Sequence, residues 1–106
     1  MSQTWIKVAL VTDIDEGDTR QVEAGGEEIC LYKLEGQVYA TQDVCTHGRA
    51  SMAEGQIVDG GLIECPLHEG TFDIRTGAAV GAPCKRALKC YPVRVEGDAV
   101  QIGIAD

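Results

Sequence analysis

Cys45-Thr46-His47-Gly48 and Cys65-Pro66-Leu67-His68 decide how this chain is read. They form a C-x-H and a C-x-x-H, with seventeen residues between His47 and Cys65. The chain has two histidines, and both fall inside this pattern. Each lies close enough to a cysteine for one tight loop to present both side chains to a metal. Together Cys45, His47, Cys65 and His68 make a Cys2His2 set of candidate ligands. One such pair alone would be read as an ordinary core cysteine and a satisfied histidine. Two pairs that use every histidine in the chain point to metal binding.

Two kinds of metal site accept this donor set. Structural zinc takes Cys2His2. Zinc fingers, however, usually keep their two cysteines together and their two histidines together, whereas each loop here supplies one of each. That interleaving suits a 2Fe–2S cluster with two thiolates on one iron and two imidazoles on the other. Ligand softness favours the iron–sulfur site and leaves zinc as the alternative.

The surrounding residues narrow the choice. Trp5-Ile6, Leu31-Tyr32, Val38-Tyr39-Ala40-Thr41, Gly70-Thr71-Phe72-Asp73, Thr76-Gly77 and Tyr91-Pro92-Val93 accompany the two loops. With them the chain, from Trp5 to its last strand, resembles the Rieske ferredoxins of bacterial aromatic-ring dioxygenase systems, of the naphthalene dioxygenase type. The resemblance implies an all-β fold, a Rieske-type antiparallel β-sandwich with an inserted cluster-binding subdomain. It implies one Rieske-type 2Fe–2S cluster per chain, held by Cys45, His47, Cys65 and His68. The implied function is that of a one-electron carrier, not an enzyme. It would pass electrons from a flavin-containing ferredoxin reductase to the Rieske centre of an aromatic-ring-hydroxylating terminal oxygenase. Both partners would bind transiently, through a small interface, to a monomeric carrier. Leu67, Pro83 and the backbone around Gly48 would form an apolar docking rim, and Pro83 resembles the proline of a third, shielding loop.

The same resemblance bears on redox potential. Two neutral imidazoles in place of two thiolates make a cluster less negative and raise its potential above that of all-cysteine ferredoxins. High-potential members of the class add a cysteine to each loop and join the two in a disulfide. The matching positions here are Ala50 and Leu67. Those members also supply a Ser and a Tyr hydroxyl where this chain has Gly70 and Phe72, neither of which donates from its side chain. A potential toward the low end of the Rieske range is expected.

At 106 residues, one domain spanning 1–106 is expected, with the cluster-binding subdomain at about 43–85. No apolar run approaches eighteen residues, and the N-terminus lacks the pattern of a secretory signal. A cytoplasmic protein with no membrane association is expected. The net charge of −8 argues against nucleic acid as a partner and suits docking to basic patches. The acidic run of Asp13, Asp15, Glu16 and Asp18 reads as a solvated face. Cys30, Cys84 and Cys90 are not read as ligands. Cys30, in an apolar strand, reads as a small core residue, and Cys84 as a partly exposed, oxidation-prone thiol. With no spare histidine, the chain cannot carry a 2-His-1-carboxylate iron site of an oxygenase. A small Rieske subunit of a nitrite reductase remains a rival reading.

Short β-rich runs punctuated by glycine predict strands over 5–9, 20–24, 28–34, 37–41, 56–58, 62–64, 71–74, 87–95 and 99–104. Gly25-Gly26, Glu35-Gly36 and Asp59-Gly60-Gly61 mark turns. Both faces of 28–34 are apolar, which predicts a central strand. Val100, Ile102 and Ile104 share one face, the expected core face. Residues 50–54 are expected to form at most one helical turn. Gly48 and Gly70 would let backbone N–H groups approach the cluster sulfurs.

Overall fold

Among the described residues, the alternating runs and turn glycines build ten strands in three antiparallel sheets. The structure is a computed structural model and describes residues 3–46, 50–66, 70–81 and 86–105. The first sheet has the order β1 (Gln3–Leu10), β10 (Ala99–Ala105), β9 (Val93–Glu96). The second is β2 (Thr19–Ala24), β3 (Glu27–Leu34), β4 (Gln37–Gln42). The third is β5 (Gln56–Val58), β6 (Leu62–Glu64), β7 (Thr71–Asp73), β8 (Ala79–Gly81). A 3-10 turn, Met52–Glu54, precedes the third sheet.

β3 is central, as its two apolar faces predict, and those faces serve different cores. Ile29 and Leu31 join Ala9, Ala24, Ala40, Val100 and Ile102 in the core between the first and second sheets. Cys30, Tyr32 and Leu34 face a second core with Met52, Ile63, Phe72, Ile74 and both loop cysteines. Period-2 alternation sends successive side chains to opposite sides, so one strand joins a base of two sheets to the third sheet. Val100 and Ile102 are fully buried and Ile104 packs against the same core, as their shared face requires.

Turn chemistry sets the hairpins. Glu35 and Gly36 both have positive φ, 51° and 77°, the pairing of a two-residue turn whose twist matches its strands. Glu35 is a strained choice there. The Glu16 carboxylate offsets this by accepting the Glu35 and Gly36 N–H groups at 2.6 and 2.9 Å. The acidic run is thus solvated as expected, yet its members also bond backbone: Asp13 accepts from the Leu10 N–H and Asp18 from the Thr19 N–H.

Two expectations need correction. Residues 87–95 do not form one strand; β9 begins only at Val93. Pro92 lacks an N–H for a ladder, and the residues before it are bonded elsewhere. The Leu88 N–H donates to the Gly77 carbonyl, the Tyr91 N–H to the Ala40 carbonyl, and Lys89 accepts from the Gln42 N–H. Second, β8 is a strand where none was expected. It is short, with Val80 exposed, and exists through pairing with β7.

Candidate metal centre

Both cysteine loops are hairpin tips with the same closure. In the first, the Met52 N–H donates to the Asp43 carbonyl at 2.6 Å, Val44 pairs with Ser51, and the Cys45 N–H donates to the Ala50 carbonyl at 2.9 Å. In the second, β6 and β7 pair as far as Glu64 and Thr71, and the Cys65 N–H donates to the Gly70 carbonyl at 2.8 Å. Each cysteine therefore closes its loop onto the residue five positions later. Residues 46–49 and 66–69 lie between the closing pairs, and each set holds one histidine. The different spacings, C-x-H and C-x-x-H, conceal this common geometry in the sequence.

The structure brings Cys45 and Cys65 into one apolar cluster, 4% and 1% exposed. His47 and His68 lie outside the described residues, as do Gly48, Leu67, Pro83 and Cys84. Buried sulfur donors at matched loop closures fit an iron–sulfur cluster, whose iron takes thiolate. Ala50 and Phe72 are both buried, and Phe72 sits in the same cluster as the two cysteines.

Cys30 shares that cluster but has a different chemistry. Burial pushes its thiol up to about 12, with the nearby Asp43 charge acting in the same direction. Cys30 lies mid-strand in β3, outside both loop closures and packed with Tyr32 and Leu34, so it is a small core residue, as its strand suggests. Its neighbour Tyr32 is fully buried. The Tyr32 hydroxyl lies 2.7 Å from Thr41 Oγ1, which itself donates to the Gln42 carbonyl at 2.9 Å. Burial also pushes the Tyr32 hydroxyl well above the usual phenol range. Cys90, by contrast, is exposed.

Two anchors of the loops escape a reading of the sequence. Thr46 Oγ1 donates to the Arg86 carbonyl at 2.8 Å, while Gly81 pairs with Thr71 beside the second loop. The chain on either side of 82–85 is thus fastened to one loop at each end. Asp43 is the other anchor. It is 1% exposed and accepts from Gln21 Nε2, Ser51 Oγ and the Ala53 N–H at 2.8, 2.7 and 3.0 Å. An acid beside the first cysteine was visible in the sequence, but nothing there reveals that it is buried or that Gln21 reaches it.

Residues 4–92 match the Rieske [2Fe-2S] domain. The chain belongs to that family. Within it, the chain is 47% identical over 102 residues to the ferredoxin component of the naphthalene 1,2-dioxygenase/salicylate 5-hydroxylase systems of Ralstonia sp, covering 96% of this chain and 97% of the relative. Among solved structures it is similar to the Sphingomonas yanoikuyae B1 ferredoxin, with a TM-score of 0.90 and 36% identity over 96% of this chain and all of that one. It is also similar to a chain in the complex of reduced oxygenase and oxidized ferredoxin in carbazole 1,9a-dioxygenase. There the TM-score is 0.86 and the identity 39%, covering 92% and 91% of the two chains. The Rieske domain carries one 2Fe–2S cluster, which turns the choice of metal away from zinc.

Proposed function

We propose that this chain is the ferredoxin component of a multicomponent oxygenase system: a one-electron carrier, itself not an enzyme. It takes electrons from a flavin-containing ferredoxin reductase and delivers them to the Rieske centre of an aromatic-ring-hydroxylating oxygenase. The observation that carries this reading is the pair of identically closed cysteine loops meeting in one buried cluster. It occurs in a chain that matches dioxygenase ferredoxin components over nearly its whole length.

Cys45, His47, Cys65 and His68 are the proposed ligands. When bound, the cluster supplies a site that takes up and gives up one electron at a time. The protein's own residues keep that site in place. Cys45 and Cys65 offer thiolates from the buried side, and Phe72 and Met52 exclude water behind them. Thr46 ties the first loop to the chain at Arg86. The potential is expected at the low end of the Rieske range, because Phe72 and Gly70 replace hydroxyl donors. Residues 43–85 act as a subdomain inserted in a single domain, a reading supported by the separate core they share with one face of β3. Among the described residues no helix is long and apolar enough to cross a membrane. A cytoplasmic monomer with transient partners fits the acidic composition.

The test is an EPR spectrum of the dithionite-reduced protein, taken with its iron and zinc content. A rhombic signal with an average g below that of all-cysteine 2Fe–2S ferredoxins is expected. A colourless, EPR-silent protein holding stoichiometric zinc would sink the reading.

A further inference from the structure

Asp43 stands at the root of the first loop, and its surroundings are unusual for an acid. Both carboxylate oxygens are engaged, Oδ2 by Gln21 and Ser51 and Oδ1 by the Ala53 N–H. Its main chain is engaged as well: the N–H donates to the Glu28 carbonyl at 3.0 Å, and the carbonyl accepts from Met52. One residue thus joins β2, β3, the returning arm of the first loop and the 3-10 turn. Its side-chain donors are an amide, a hydroxyl and a backbone N–H, all neutral, and among the described residues no cation forms an ion pair with it. Neutral donors hold a carboxylate in place without cancelling its charge. Two peptide units separate Asp43 from Cys45, so their Cα atoms lie within about 7 Å. At that range, inside the protein, a fixed negative charge opposes the arrival of another.

We propose that Asp43 is a positioning residue for the metal centre with an electrostatic effect of its own. It locks the first cysteine loop to the base sheets, and its buried charge, paired with no cation among the described residues, holds the reduction potential down. This rests on the Rieske ferredoxin reading and goes beyond the ligand set.

Two variants separate charge from packing. Asp43→Asn keeps the size and removes the charge. Gln21→Lys leaves Asp43 intact and brings an ammonium to the exposed β2 position that now donates to it. Asp98→Asn, an exposed acid in the β9–β10 turn, is the control for net charge. Iron content, EPR g-values and midpoint potential would be measured on each purified protein. Both Asp43→Asn and Gln21→Lys are expected to raise the potential with g-values unchanged, and Asp98→Asn to raise it less. Iron-loaded variants that keep the wild-type potential overturn the proposal, as does a shift no larger than the control. If Asp43→Asn takes up no iron, Gln21→Lys decides alone by the same criterion. Failure of the wild type itself to hold iron would instead overturn the ferredoxin reading.

Discussion

Phe72 is where one atom should be felt at the cluster. It is fully buried among the residues that hold Cys45 and Cys65, and it lacks a hydroxyl. A hydrogen bond to a charged acceptor is worth about 1.5–3 kcal/mol, which for one electron is roughly 60–130 mV. Phe72→Tyr should therefore raise the midpoint potential by up to that amount, and a redox titration with no upward shift would remove the hydroxyl argument. Cys30 offers a second residue-scale test. Its thiol, held near 12 by burial, should resist a thiol reagent in the native protein at pH 8, while the exposed Cys90 reacts. Mass mapping of the labelled protein would show it, and rapid labelling of Cys30 would contradict the packed core drawn for β3.

Turns and connecting segments carry the next level of stability. Hydrogen bonds from Glu35 and Gly36 hold the Glu16 carboxyl below its ordinary value of 4.5, and the Tyr91 hydroxyl does the same for Glu27, with Lys89 assisting. A depressed folded value means that the stabilisation is complete above 4.5 and is lost as pH falls through the folded value. Melting temperature should accordingly drop on acidification below about pH 4.5, and Glu16→Gln should flatten that acid limb. An unchanged limb would show that the carboxylate at the β3–β4 turn contributes nothing. Gly77 matters through space as well as dihedral. Its φ is +79°, and an added Cβ would strike the Leu88 carbonyl oxygen and approach Cys90 Sγ at 2.9 Å. Gly77→Ala should destabilise by at least about 1–3 kcal/mol from strain alone, read from denaturant unfolding.

For the whole molecule, the two cysteine loops are the tips of separate hairpins brought together over one core. Metal held by both would cross-link them, and its binding energy becomes folding energy. Removing iron should lower the melting temperature. It should also raise amide exchange in residues 50–81 more than in residues 99–105, because β10 belongs to the other core. Equal loosening of both regions would argue against an inserted subdomain. The acidic charge acts at longer range: electron transfer to a partner with a basic surface should slow as ionic strength rises.

By itself the sequence determined the all-β class and the hairpins, and it supplied the two Cys-His pairs proposed as the donor set. Cysteine, histidine, turn glycine and two-residue alternation each report local chemistry that needs no distant partner. Tertiary structure decided the rest. Alternation in residues 28–34 says that both faces are apolar, yet only packing shows that Ile29 and Leu31 meet one core while Cys30 and Tyr32 meet another. The segment before Pro92 has the composition of a strand but bonds to Gly77, Ala40 and Gln42 from separate parts of the chain. Asp43 looks like any surface acid until Gln21, 22 residues earlier, is found against it. Burial and hydrogen-bond partnership are properties of the folded chain, because they depend on which distant residues fill the same space.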